Sequence, residues 1–288
     1  MTLSLYQFSY NGLTFGNSTP FVITSVDGLA NLPELRVQDV DRGFNDGMFT
    51  GRDFLSGRHI TFNLNIFAGN GNSAQQNWAL LQNALTPVSA LTSTNGLMQF
   101  QLAYTDTPKR LTARVRTRQA SIDAEYTYGY ITAQVEFFAP DARYYDETAT
   151  TVSITPARAY GRTYNRTYNL VYSQAVVAGA TASTASITNT GSGPMPLTVT
   201  LSGPMSNPQF TNLTTGQYLQ INYNLASTDT VTLDMTNNIV LLNGVSARNL
   251  LVGGSQWFTI PANSTQSVFL SAVTTTGSAS ITYRNAWI

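Results

Sequence analysis

The 288-residue sequence contains no cysteine, which excludes a disulfide framework and thiolate chemistry. Charge is scarce as well. Lys, Arg, Asp and Glu make up 10% of the residues, against roughly 25% in an average soluble domain. The fifteen basic and fifteen acidic side chains cancel, which removes any general attraction to nucleic acid or to an anionic membrane. No apolar run reaches the ~18 residues of a membrane span, and the opening MTLSLYQFSYNG lacks the basic and apolar regions of a signal peptide. The expectation is a soluble protein made in a cytoplasm, with no membrane span and no nucleic acid binding.

What is present points to β structure and to assembly. Hydrophobic residues at 42% suffice to fill cores without metals or disulfides. Thr, Ser, Asn, Gln and Tyr stand where charge is missing, a surface common in proteins that live inside assemblies, where buried charge is costly. The charge that exists is unevenly placed. Residues 1–150 hold ten Lys/Arg and thirteen Asp/Glu, whereas 151–288 hold five and two. That shift suggests two domains.

In the first half, Asn11-Gly12 between short strand-like runs is a hairpin signal. HITFNLNIF alternates, with Ile60, Phe62, Leu64 and Ile66 on one face, and reads as a half-buried strand. One helix is expected in SAQQNWALLQNALTP, with Ser73 and Gln76 as a capping box, a stripe of Trp78, Leu81 and Leu85, and Pro87 at its end. RLTARVRTR reads as one strand with Arg110, Arg114, Arg116 and Arg118 on a common face. The second half carries eight short strand-like runs with Gly, Pro and Asn turns: TASITNTG, PLTVTLSG, YLQINYNL, DTVTLDM, NIVLLNG, SQWFTIP, QSVFLSAV and SASITYRNAW. That is the pattern of an antiparallel sandwich, with Asn237-Asn238 as a further hairpin turn.

Candidate chemistry is sparse. Residues 33–69 concentrate Arg36, Arg42, Arg52 and Arg58 with Asp39, Asp41, Asp46 and Asp53 in a Gly-punctuated loop. Asp39-x-Asp41-x-Gly43 begins like a calcium loop, but Phe44 and Thr50 stand where its glycine and bidentate glutamate belong, and the arginines would repel a dication. The plainer reading is a loop held by internal ion pairs. His59, the only histidine, sits at a strand head without an evident acid or nucleophile partner. Asp123 and Glu125, two apart on a strand-like run, face one side and are too close to straddle a sugar. Nucleotide-binding and serine-hydrolase motifs are missing. The expectation is no enzyme, no metal and no cofactor. RAYGRTYNRTYN repeats Arg-x-Tyr, so that Arg158, Tyr160, Arg162, Tyr164, Arg166 and Tyr168 line one face if extended. Such a face serves stacking on single-stranded nucleic acid, a subunit interface or a solvated linker, and zero net charge favours the interface.

Four stretches carry a family pattern: LPELRVQDVDRGFNDGMFTGRDFLSGRHITFNLNI, FFAPDARYYD, GPMPLTVTLSGPMSNPQFTN, and the run from DTVTLDM to the closing YRNAWI. In these the chain resembles the distal tail proteins (Dit-like minor tail proteins) of long-tailed siphovirus bacteriophages. The resemblance implies a mainly β fold in two parts: an N-terminal β-rich belt domain with one helix, residues 1–148, and a C-terminal antiparallel β-sandwich, galectin-like or carbohydrate-module-like, residues 173–288. Residues 149–172 would link them. It further implies a hexameric ring at the tail tip of the virion, joining the tail tube protein to the baseplate hub and the receptor-binding apparatus. The tape measure protein would be a further partner. The 34–58 loop, with Arg36, Asp39, Asp41, Arg42, Asp46, Arg52, Asp53 and Arg58, is then expected to be a subunit interface, because a heterologous contact repeats around a ring. The alternative is a carbohydrate-binding module for host recognition, with Tyr218, Tyr223 and Trp257 as candidate sugar platforms, although Trp257 reads more readily as core.

Overall fold

The computed structural model describes residues 3–87, 96–102, 107–158, 183–273 and 276–288. The chain divides into two compact units between Glu147 and Thr148.

The first unit is built on two sheets. In one, Leu13–Gly16, Gln7–Tyr10, Leu97–Gln101, Lys109–Thr112 and Tyr144–Asp146 follow one another in that order. Asn11 and Gly12, at φ 46° and 83°, close the first hairpin. In the other, the order is Arg114–Ala120, Ile131–Ala139, Arg58–Ile66 and Phe21–Asp27. The alternation in the Arg58–Ile66 strand does what its sequence predicts: Ile60, Phe62, Leu64 and Ile66 are buried. Phe62 is the hub of the core, meeting Phe8, Phe15 and Phe137 edge-on at 4.9, 5.4 and 5.5 Å, an arrangement that sets a positive ring edge against a negative ring face. Helix Ala74–Ala84 begins with the expected Ser73–Gln76 capping box and buries Leu81 and Leu85, while Trp78 is only partly covered. In the FFAPDARYYD stretch, Asp141 holds Arg143 through both carboxylate oxygens and accepts from the Tyr145 hydroxyl at 2.6 Å. Burial, with the Asp141 charge beside it, pushes the Tyr145 phenol well above its ordinary value.

RLTARVRTR is not one strand. The chain leaves the first sheet at Thr112 and enters the second at Arg114, so Arg110 belongs to a different sheet from the other three arginines. A bulge at Arg116 then shifts the register, with Val115 opposite Phe137 but Thr117 opposite Glu136. Arg114 therefore shares a face with Phe138, whereas Arg118 pairs with Val135 on the other face and reaches the Gln82 carbonyl of the helix. A strict two-residue period could not anticipate the extra residue.

The second unit is a sandwich. One sheet runs Thr150–Ile154, Ser278–Tyr283, Leu197–Ser202, Thr230–Asp234, Ile239–Leu242 and Val245–Ser246. The other runs Ala157–Arg158, Ser264–Ala272, Gln209–Asn212 and Tyr218–Gln220, with Thr184–Asn189 also paired to Ser264–Ala272. Pairing is antiparallel except where Ala157–Arg158 joins Ser271 and Ala272. Val199, Leu201, Val231, Leu233, Phe210, Leu270 and Ile281 are buried in this unit. Asp234 accepts from the amides of Thr236 and Asn237 and fixes the turn that Asn237-Asn238 predicts. Two expected features differ. SQWFTIP forms no strand and contributes one bridge, Ile260 to Met195. The first ten residues of the expected 149–172 linker include two strands of the sandwich, because Val152 and Ile154 lie opposite Ile281 and Ala279. Tyr160, Arg162, Tyr164, Arg166 and Tyr168 lie outside the described residues, and Arg158 is described only as strand backbone.

Residues 148–288 expressed alone are expected to melt cooperatively. A chain starting at residue 173 lacks the Thr150–Ile154 strand and the buried Ile154, and is expected to lose at least ~2 kcal/mol, read as a lower midpoint in urea-induced unfolding.

Candidate functional site

Residues 33–57 do not form a compact loop. They form a long β-hairpin arm. Its base is closed by the Ser56 amide donating to the Glu34 carbonyl and by pairing of Leu35–Arg36 with Phe54–Leu55. Further out, Val40–Asp41 pairs with Met48–Phe49, and the Arg42 amide donates to the Gly47 carbonyl around the tip. Between the two ladders the strands approach closely: a Cβ on Gly51 would stand 2.3 Å from the Gln38 carbonyl oxygen. Only glycine fits there. The Asp39 carboxylate accepts from the Gly51 amide at 2.8 Å and holds the crossing.

Every residue from 34 to 54 is exposed, and Phe44 at the tip is 103% accessible. Val37, Val40, Met48 and Phe49 are between 50% and 63% accessible. The arginines are not engaged in ion pairs within the arm, contrary to the sequence expectation. Arg36 and Arg52 lie over the Phe54 ring at 5.6 and 5.2 Å, and Arg42 lies over Phe49 at 5.0 Å. A guanidinium stacked on an aromatic face keeps its hydrogen-bond donors free. Seven of the eight predicted interface residues thus sit on one projecting element: Arg36, Asp39, Asp41, Arg42, Asp46, Arg52 and Asp53.

Arg58 is the exception. It is 2% exposed and cannot be a surface contact. Its Nε donates to the Ala142 carbonyl at 3.0 Å, and Nη1 is shared among the carbonyls of Gly28, Leu29 and Asn31 at 2.7–2.8 Å. Burial lowers its pKa, offset in part by Tyr144, whose ring lies 5.6 Å away. Arg58 therefore anchors the root of the arm to two loops of the body. The sequence shows an arginine beside seven other charged residues and gives no local sign that its side chain turns inward.

The remaining candidates do not assemble a reaction centre. His59 Nδ1 meets Glu136 at 2.9 Å with its side chain 60% exposed, and the Thr117 hydroxyl donates to the other carboxylate oxygen. These hydrogen bonds, Thr117 first and then His59, hold the Glu136 carboxyl below its ordinary range. A triad needs the hydroxyl on the imidazole, and here it is on the carboxylate. Asp123 is not on a strand; it caps the short helix Ala124–Thr127 by accepting from the Glu125 and Tyr126 amides. Among the described residues no three His, Asp or Glu side chains gather as a metal site. Tyr223 donates to Asp229 at 3.4 Å, and it is Phe258, next to Trp257, that stacks on Phe210. No ring contact joins Tyr218, Tyr223 and Trp257 among the described residues.

Residues 190–287 match the family described as the siphovirus-type tail component, C-terminal domain. The structure is similar to the Dit protein (gp 19.1) of SPP1, described as a paradigm of the hub adsorption apparatus in Gram-positive infecting phages. The TM-score is 0.67 at 14% identity, covering 99% of this chain and 100% of that one. The chain has a Dit fold. Chains from the phage P2 baseplate in its activated conformation, with Ca and with Sr, align to this Dit-like chain with TM-scores of 0.51 and 0.50 at 11% identity, each over 97% of it and over 97% and 98% of their own lengths. No curated protein matches its sequence.

Arg58→Ala leaves at least four carbonyls without their donor, at about 1–3 kcal/mol for each that stays buried and unsatisfied. It is expected to lower unfolding stability by at least ~3 kcal/mol, whereas Arg42→Ala at the arm tip changes it by under ~0.5 kcal/mol; urea unfolding distinguishes the two. His59→Ala, at an exposed pair, is expected to stay within about 0.5 kcal/mol of the parent. A depressed carboxylate stabilises the fold above its unfolded pKa and loses that effect as pH falls through the folded one. The small difference between His59→Ala and the parent should therefore vanish in acid unfolding curves below that range.

Proposed function

We propose that this protein is a non-catalytic structural component of the phage tail tip, forming a six-fold ring that joins the tail tube to the baseplate hub and the receptor-binding apparatus. The observation that carries the reading is the arm. A two-stranded hairpin with no third strand is marginal in water, and this one leaves 34–54 wholly exposed with an apolar tip. Such an element is explained by a protein surface that covers it. The hub and baseplate proteins that share its fold supply the setting, and the ring number follows the family resemblance.

A ring places the arm of each copy on the next and repeats one heterologous contact until it closes. The low charge of the chain suits a subunit surrounded by protein, with the tail tube, hub, tape measure and receptor-binding proteins as its partners in the virion. The Arg-Tyr face of 158–168 would then serve as a further contact or as a tether.

Mass photometry tests the reading. The purified protein is expected to populate a six-chain species. A chain in which residues 38–51 are replaced by a short Gly-Ser turn should fold and remain monomeric. Phe49→Ala should weaken each contact by about 1–3 kcal/mol, a roughly fivefold or larger rise in the concentration needed for assembly. An arm-shortened chain that assembles like the parent would sink the proposal.

A further inference from the structure

Resting on the reading of the arm as a contact between copies, we infer that its receptor is the Arg114–Ala120 edge strand of the neighbouring copy. The argument is one of unmatched charge. The arm carries five carboxylates, Glu34, Asp39, Asp41, Asp46 and Asp53, against Arg36, Arg42 and Arg52, a net charge of −2. Its arginines are stacked on Phe49 and Phe54, and only Asp39 has a hydrogen-bond partner among the described residues. The arm therefore presents a surplus of unpaired acid.

The cations elsewhere in the first unit are mostly engaged. Lys109 binds Asp146 at 2.6 Å, Arg110 meets Glu147 at 3.5 Å, and Arg143 binds Asp141 at 2.9 Å. Arg58 is buried among carbonyls. Arg114, Arg116 and Arg118, all on one strand, form no salt bridge among the described residues, although Arg118 also donates to the Gln82 carbonyl. Arg116 lies over Phe138 at 4.8 Å, and Arg114 Nε, a buried atom, has no hydrogen-bond partner among the described residues. Glu136, across the ladder from Thr117, is already bound by Thr117 and His59.

The backbone makes the same offer. Among the described residues Arg114–Ala120 ends its sheet, paired on one side to Ile131–Ala139 and unpaired on the other. A β-ribbon laid along an open edge gains main-chain hydrogen bonds, while opposite charges select its direction and register. Among the described residues no hydrogen bond or salt bridge connects the arm to this strand within one chain, and the occupant is the arm of a second copy. Charge on an edge strand also deters aggregation, and that simpler role predicts that reversing it would promote association.

The chain lacks cysteine, which makes disulfide trapping specific. The full chain carrying Asp41→Cys and Arg116→Cys is expected to form interchain disulfide ladders on mild oxidation, with neither single variant doing so beyond dimers. In a second arm, Arg116→Glu with Arg118→Glu should raise the concentration for assembly at least tenfold, and adding Asp41→Arg with Asp53→Arg should recover most of that loss. If the double reversal fails to fold by circular dichroism, Arg116→Gln with Arg118→Gln replaces it, read as a weaker salt dependence of assembly. Unchanged or enhanced assembly of the charge-altered chains, alongside a monomeric arm-shortened chain, overturns this receptor and leaves the ring reading standing. Normal assembly of the arm-shortened chain overturns both.

Discussion

The guanidinium of Arg58 is the interaction on which the arm depends. A buried cation with no carboxylate partner is costly, and this one is compensated by the carbonyls of Gly28, Leu29, Asn31 and Ala142. Those carbonyls lie in loops outside the ladders and accept from Nε and Nη1, while Nη2 is buried with no hydrogen-bond partner among the described residues. The consequence is geometric. The chain leaves the body at 31–33 and returns at 57–58, and both crossing points are tied to one rigid fork. An arm without buried residues of its own needs such a root to hold a direction.

The distribution of charge follows from the same economy of burial. In the first unit, many charges are consumed locally, as in Asp141–Arg143 and Lys109–Asp146, and many of the rest are carried on the arm and the Arg114–Ala120 strand. The sandwich does with amides and hydroxyls what charge does elsewhere. Asn189 donates to the carbonyls of Gly193, Ile260 and Pro261, and buried Asn212 donates to Gln266. Neutral hydrogen bonds pin loops without the desolvation cost of ions.

Much of the fold was legible because its signals are local. The period-two burial of Ile60 to Ile66, the Ser73–Gln76 box and the Asn11-Gly12 turn are each decided by a handful of neighbouring residues. The misreadings share a different cause. Arg58 lies in a run of charged residues and is buried by loops 27–30 and 84 positions away in sequence. The bulge at Arg116 and the strand at Thr150–Ile154 likewise depend on partners far along the chain. On the arm, the apolar set Val37, Val40, Phe44, Met48 and Phe49 lacks any period because the hairpin buries neither face, so it leaves no signature beside the run of charge.

If the exposed arm of one subunit docks on a strand edge of the next, as proposed, donor and receiver are different surfaces, and this has a consequence for how growth stops. Any open chain of such subunits, whatever its length, keeps one unsatisfied donor at one end and one unsatisfied acceptor at the other. The subunit that completes a circle makes two junctions at once, and the second forms within a single particle at a high effective concentration. Under that proposal intermediates would be short-lived relative to the closed circle, and the finished object would have no free end from which a fibre could continue.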